Sequence, residues 1–171
     1  MFVGTHYQTL TRFGVLAIFM AATPAFAATR AARAEAVALR PLSIVNTSDL
    51  EFGTLISSPV AGTVIINAAT DARTTTGGVT GAGGAPHAAQ FFTYSTGNQT
   101  LQVNHGGLPI LSRVGGGATM NVTQLTLNGP VLRFIGPAGV LDLRVGGTLA
   151  VSANQLDGQY TGTFQIIVTY F

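Results

Sequence analysis

Short runs of alternating apolar and polar residues, interrupted by Gly, Pro and Asn, extend from residue 37 to the C-terminus. Successive side chains of a β-strand point to opposite faces, so these runs predict strands that face a core on one side. No run keeps a helical period for three turns. Many short strands separated by turn residues are typical of a sandwich or barrel. We therefore predict an all-β protein with an immunoglobulin-like antiparallel β-sandwich.

The predicted strands follow directly from these runs. They cover residues 37–45, 50–56, 63–67, 90–95, 101–104, 108–111, 119–127, 131–135, 140–145, 148–153 and 160–170. The segment between residues 70 and 88 contains only one large apolar residue, Val79. Because it cannot bury enough surface to offset its ordering entropy, we predict a loop there that is either mobile or functional, and we favour mobility.

Parity within the runs predicts which side chains are buried. The expected inward pairs are Val64 with Ile66, Leu101 with Val103, Met120 with Val122, and Leu132 with Phe134. The apolar parity changes after Val122, which predicts a β-bulge near Thr123 or Gln124. One parity holds from Leu141 to Val151, and we predict a bend or turn at Gly146 and Gly147 within it.

The N-terminus has the three parts of a secretory signal peptide. Arg12 precedes an apolar run of about ten residues, too short to cross a bilayer as a helix, and Ala25 and Ala27 suit signal-peptidase cleavage. We predict a signal peptide over residues 1–27, an N-terminal arm over 28–40 and a β-sandwich domain over 41–171. The protein would be exported to the periplasm, the cell surface or a fimbria, or secreted. No later segment approaches the length of a membrane-spanning helix.

Charge and cysteine content exclude several kinds of partner. The chain contains no lysine and no cysteine, and three of its arginines lie in the arm while the others are scattered. A phosphate backbone requires a continuous basic surface, so we expect no nucleic-acid partner. Without disulfides, stability must come from packing and sheet hydrogen bonds.

Catalytic constellations are sparse. His87 and His105 have no metal-ligand spacing, and no nucleophile elbow accompanies a set built on Asp142. Asp49 and Glu51 share one strand face, whereas the two acids of a glycosidase face each other across a sugar. The Gly clusters lack the strand, helix and lysine of a phosphate-binding loop. We predict a protein that is not an enzyme and has no cofactor, catalytic residue or metal ligand.

The last run, GQYTGTFQIIVTYF, carries the most specific pattern. Its apolar residues alternate on one face, and Gly158 and Tyr170 occupy positions fourteenth and second from the end. This resembles the C-terminal strand of chaperone-usher pilins. The resemblance implies an assembly strand, read by a periplasmic chaperone through β-augmentation. Its residues would be Gly158, Tyr160, Phe164, Ile166, Val168 and Tyr170.

Motifs along the rest of the chain are similar to those of an uncharacterised family of secreted Gram-negative pilin-like β-sandwich domains. They are LEFG (50–53), GTV (62–64), MNV (120–122), VGGTL (145–149) and GQYTGTF (158–164). The resemblance implies a structural or adhesive subunit of a fimbria-like cell-surface assembly, with a chaperone and an usher as possible partners. Self-assembly by strand exchange would use the arm as donor, through Val37 and Leu39. The alternative is a monomeric secreted module that binds a glycan or other ligand, and a hydrolase is a third.

Overall fold

The computed structural model describes residues 33–171, which form strands and loops and contain no helix. The predicted signal peptide, residues 1–27, and the start of the arm lie outside the described residues. The first half forms β1 (Ser43–Ser48), β2 (Leu55–Ile56), β3 (Gly62–Ile66), β4 (Arg73–Gly77), β5 (Thr80–Gly81) and β6 (Ala89–Tyr94). The second half forms β7 (Gln99–His105), β8 (Ile110–Arg113), β9 (Thr119–Leu127), β10 (Leu132–Ile135), β11 (Val140–Val151), β12 (Tyr160–Thr161) and β13 (Ile166–Tyr170).

The strands form one large and two small antiparallel sheets. The large sheet has the order β1-β6-β11-β9-β8-β12, and β3 continues along the β6 edge of β11 and pairs with β4. A three-stranded sheet, β10-β7-β13, and a two-stranded sheet, β2-β5, complete the set. Apolar residues of β7, β13 and β2 pack on the same core as the large sheet. The all-β sandwich that the sequence predicts is thus confirmed.

The core lies on the inner face of the large sheet. Val64, Ile66, Leu143 and Val145 are fully buried there, and Val103 reaches the same core from the three-stranded sheet. Each buried aliphatic side chain stabilises the fold by about 1.5–3 kcal/mol. The predicted inward parities of β3, β7 and β11 are therefore confirmed.

The bulge in β9 is confirmed as well. Thr148 pairs with Gln124, whereas the next residue of β11, Leu149, pairs with Val122. Thr123 is therefore the extra residue, and it lets both Val122 and Leu125 point into the core.

The prediction of a turn at Gly146 and Gly147 was wrong, because β11 continues through both residues. A Cβ on Gly146 would lie 2.2 Å from the carbonyl oxygen of Ile66. The glycine therefore permits close approach of the β3 backbone at the point where β11 changes its partner from β6 to β3.

The predicted burial of Leu132 and Phe134 was wrong. Both are exposed, and Arg133 and Ile135 point inward instead. Arg133 points inward because its guanidinium forms two hydrogen bonds there. It donates to the Pro130 carbonyl oxygen at 2.9 Å and to Asn128 Oδ1 at 2.8 Å. These bonds offset part of the cost of burying the guanidinium, whose buried Nη2 has no hydrogen-bond partner among the described residues.

The mobile loop predicted between residues 70 and 88 was also wrong, since this segment contains β4 and β5. Its order comes from polar bonds and one apolar anchor rather than from a hydrophobic run. Thr63 and Thr76 form a cross-strand hydroxyl hydrogen bond of 2.6 Å, and Val79 is buried. Conversely, residues 37–42 of the first predicted strand are not in a strand.

Candidate functional site

The C-terminal run forms two strands instead of the single predicted strand. β12 pairs with β8, β13 pairs with β7, and residues 162–165 between them lie outside any strand. Gly162 lies close to β8, where an added Cβ would be 2.8 Å from the Ile110 carbonyl oxygen. The chain thus changes sheets at this point, passing from the large sheet to the three-stranded sheet.

The alternation along the run is the one that the sequence predicts. Tyr160, Phe164, Ile166, Val168 and Tyr170 are half-buried, and the residues between them are exposed. Within the described part of the chain β13 pairs with β7 alone. Its other edge therefore carries backbone groups that a further strand could pair with.

An open groove of about 1250 Å³ lies beside this C-terminal run. Its floor is the inner face of the large sheet, from which Phe91, Val122 and Leu149 contribute side chains. One wall consists of residues 49–57, and the other consists of residues 155–164. We call these the β2 wall and the β12 wall. The groove therefore separates the two-stranded sheet from the residues that lead into β13.

Bonds to residues 83–87 hold the β2 wall. Glu51 and His87 exchange two backbone hydrogen bonds of 2.9 and 3.0 Å. Nη1 of Arg73 donates to the carbonyl oxygens of Phe52 at 3.1 Å and of Gly83 at 2.9 Å. The segment that looks like a loop in the sequence thus supports one side of the groove.

Side-chain bonds hold the β12 wall. Nε2 of Gln155 donates to the Thr119 carbonyl oxygen at 3.2 Å and to the Tyr160 hydroxyl at 2.8 Å. The Tyr160 hydroxyl in turn donates to the Leu156 carbonyl oxygen at 2.7 Å. Gly158 has a φ of +138°, a conformation that disfavours any side chain. Gly158 and Tyr160 therefore shape this wall.

Phe164 connects the β12 wall to the floor. Its ring meets Phe91 edge to face, with 6.2 Å between centroids and 79° between ring planes. This arrangement is favourable for two aromatic rings.

Tyr170 lies at the far end of β13 and contacts the base of the arm. Its hydroxyl donates to the Arg40 carbonyl oxygen at 2.8 Å and accepts a hydrogen bond of 2.9 Å from the Thr96 amide. The Arg40 amide in turn donates to Thr96 Oγ1 at 2.6 Å. Beyond this point the predicted donor residues are accessible: Val37 is 84% exposed and Leu39 is 40% exposed. Neither lines the groove.

Of the residues considered for catalysis, Asp49, Glu51 and His87 line the groove, whereas His105 and Asp142 lie outside its lining. Nδ1 of His87 is hydrogen-bonded to the Ala85 carbonyl oxygen, and Nδ1 of His105 to the Gly106 carbonyl oxygen. Asp142 accepts a hydrogen bond from Gln90. Across residues 33–171, no three His, Cys, Asp or Glu side chains cluster in a way that could hold a metal ion. The absence of enzymatic activity stays a prediction.

The fold and groove define an all-β sandwich whose C-terminal strand is paired on one edge only among the strands of residues 33–171. The chain belongs to the family described as domain of unknown function DUF4402, whose model matches residues 42–170. Searches of curated proteins and of solved structures gave no match. In the part of the chain that the structure describes, no helix has the length and apolar character needed to cross a membrane.

Proposed function

We propose that this protein is an exported structural or adhesive subunit of a fimbria-like cell-surface assembly, and that its copies join by strand exchange. One observation carries the proposal: β13, the C-terminal strand, pairs on one side only among the described strands, and the run that leads into it borders an open groove. An unpaired edge beside apolar surface favours association with another chain.

An added strand would have backbone partners in β2, which borders the groove, and in β13, which follows the β12 wall and lies outside the groove lining. Among the described strands, β2 pairs only with β5, and β13 only with β7. A strand seated beside the β2 wall and continuing along β13 would join the two small sheets into one layer. It would also cover Phe91, Val122 and Leu149 on the groove floor. This is the β-augmentation mode of recognition.

The test is the mass of residues 28–171 in solution. We expect multimers by size-exclusion chromatography with light scattering, and we expect deletion of residues 28–36 to abolish them without unfolding residues 37–171, which form one compact unit. Val37→Asp should weaken assembly, because it places a charge on the donor. Val60→Asp is the matched control, since Val60 is 62% exposed and lies outside the groove lining. A stable monomer at high concentration would contradict the proposal.

A second candidate, a monomeric secreted module that binds a glycan or other ligand, is favoured by the size and polar walls of the groove. Asp157 and Gln159 could bond to hydroxyl groups there. Gene neighbourhood separates the two candidates. A chaperone and an usher encoded beside this gene would favour the assembly subunit, and their absence would favour the stand-alone module.

A further inference from the structure

We infer that the outer face of the three-stranded sheet, β10-β7-β13, binds a neutral polysaccharide of β-linked sugars, of the flat-ribbon kind found in cellulose and chitin. Phe134 and Phe171 would be the two stacking surfaces. Neither residue lines the groove. The inference therefore goes beyond the proposed function, concerns a different surface, and applies to a single copy as well as to an assembly.

Two phenylalanine side chains lie in one row across this face. Phe134 pairs with Thr100 of β7, and the amide of Phe171, the residue after β13, donates to the Thr100 carbonyl oxygen at 3.0 Å. Phe134 is 66% exposed and Phe171 is 78% exposed, whereas Leu101 points to the opposite face and is fully buried. Opposed residues of antiparallel strands have Cα atoms about 4.5–5.5 Å apart, so the two phenylalanines lie about 10 Å apart.

Polar, uncharged side chains lie beside this row. Gln102 and Asn104 follow Thr100 on the same face of β7, and Thr169 of β13 is paired with Gln102. All four are at least partly exposed. Arg133 is buried on the opposite face, so none of the outward side chains of these three described strands is charged. The face therefore suits a neutral ligand that carries hydroxyl or amide groups.

The size of the face favours a sugar chain over a second protein. Three strands about 4.8 Å apart, with three outward positions along β7 at about 3.3 Å rise per residue, give a face of roughly 300 Å². A stable protein–protein interface buries about 800 Å² on each partner. The face is thus too small for a stable protein partner, and it is large enough for a few sugar units.

The spacing of the two rings matches a flat, β-linked ribbon. In such a ribbon the sugar rings present C–H groups above and below, alternate sugars present the same side, and hydroxyl groups project from the edges. C–H groups are attracted to the negative face of an aromatic ring. A repeat of two sugars is about as long as the distance between Phe134 and Phe171. One sugar can therefore stack on each ring, with Gln102 beside the chain to bond a hydroxyl group, whereas a coiled α-linked chain cannot lie flat on both rings.

The test is co-sedimentation of residues 28–171 with microcrystalline cellulose and with chitin, and granular starch, an α-linked glucan, is the ligand control. The wild type should bind cellulose, chitin or both, and should not bind starch. Phe134→Ala and Phe171→Ala should each raise the dissociation constant about fivefold or more. Phe134→Trp keeps an aromatic face and should bind as the wild type does. Tyr94→Ala is the matched control, because it removes a 46% exposed aromatic side chain from β6, in the large sheet.

The contrary outcomes are distinct. Phenylalanine variants that bind as tightly as the wild type, equal binding to starch, or a wild type that binds neither cellulose nor chitin would overturn the inference. Binding to phosphatidylcholine vesicles without binding to either polysaccharide would also overturn it and would assign the face to a lipid surface. Circular dichroism spectra and melting temperatures equal to those of the wild type show that each variant is folded. Multimer formation is measured separately, so failure of the proposed function and failure of this inference are distinguishable.

Discussion

The Tyr170 hydroxyl donates a hydrogen bond of 2.8 Å to the carbonyl oxygen of Arg40, so the penultimate residue of the chain holds the base of its N-terminal arm. The same hydroxyl accepts a hydrogen bond from the Thr96 amide. The residue that occupies the position of a pilin signature therefore has a local structural role. It holds Arg40, the last residue of the arm, against Thr96.

Removal of this hydroxyl should loosen that attachment. We expect Tyr170→Phe to lower the unfolding free energy measured in urea, because two hydrogen bonds are lost while the ring is kept. Hydrogen exchange at the Thr96 amide should become faster. Tyr94→Phe is the matched control, as Tyr94 is 46% exposed on the outer face of β6. Unchanged exchange at Thr96 would contradict the attachment.

The two faces of the C-terminal run should respond differently to truncation. Phe164→Ala and Ile166→Ala should each destabilise the domain by about 2 kcal/mol, the low end of large-to-small core changes, because both side chains are half-buried. Gln165→Ala, between them and exposed, should be nearly silent. Equal melting shifts for the two faces would show that the parity is wrong.

The sequence predicted the inward-facing residues correctly wherever the burial of apolar side chains alone decides the structure. Alternation predicted the inward faces of β3, β7 and β11, and the parity change in β9 predicted the bulge at Thr123. It failed where polar bonds decide. Arg133 points inward because Asn128 and Pro130 bond to it, and no apolar pattern reveals that.

The candidate site was predicted in the same uneven way. The C-terminal alternation was readable, but the β2 wall depends on Arg73, whose guanidinium binds carbonyl oxygens distant in sequence. The LEFG motif at residues 50–53 and the acids Asp49 and Glu51 drew attention to this stretch, but they did not predict a groove wall. The alternation did not reveal the break between β12 and β13 at residues 162–165. Gly162 has the same parity as Tyr160 and Phe164, so the pattern continues across the break.

The corrected face of β10 can be tested directly. Ile135→Ala should cost about 2–5 kcal/mol of unfolding free energy, because Ile135 is fully buried. Phe134→Ala removes a larger side chain but one that is 66% exposed, so its cost should be much smaller. Chemical denaturation measures the unfolding free energy of both variants. A larger loss of unfolding free energy for Phe134→Ala than for Ile135→Ala would show that Leu132 and Phe134 form the buried face, as the sequence predicted.

Stability should depend on pH through Asp71. Its carboxylate bonds to the Arg144 guanidinium and accepts a hydrogen bond of 2.8 Å from the Ala88 amide, and these two bonds lower the pKa of Asp71. The carboxylate therefore stabilises the fold above its unfolded-state pKa of about 3.9, and this contribution is lost as the pH falls through the lower folded pKa.

The measurement is urea denaturation between pH 7 and pH 2, with the pH values chosen to span about 3.9. The advantage of the wild type over Asp71→Asn should shrink below about pH 4. Asp142→Asn is the control, because exposed Asp142 accepts one side-chain hydrogen bond, from Gln90. A difference between wild type and Asp71→Asn that does not change with pH would contradict the assignment.

Strand exchange between copies can be measured most directly by disulfide trapping, because the chain contains no cysteine of its own. One variant of residues 28–171 carries Val37→Cys in the arm, and a second carries Thr163→Cys on the β12 wall or Thr54→Cys on the β2 wall. With a size tag on the wall variant, we predict that mixing and mild oxidation give a heterodimer band on non-reducing gels with either wall variant. A third tagged partner with Thr74→Cys, an exposed residue of β4 outside the groove lining, should give no more heterodimer than random collision produces. Wall variants that cross-link no more than the Thr74→Cys control would contradict strand exchange at this groove.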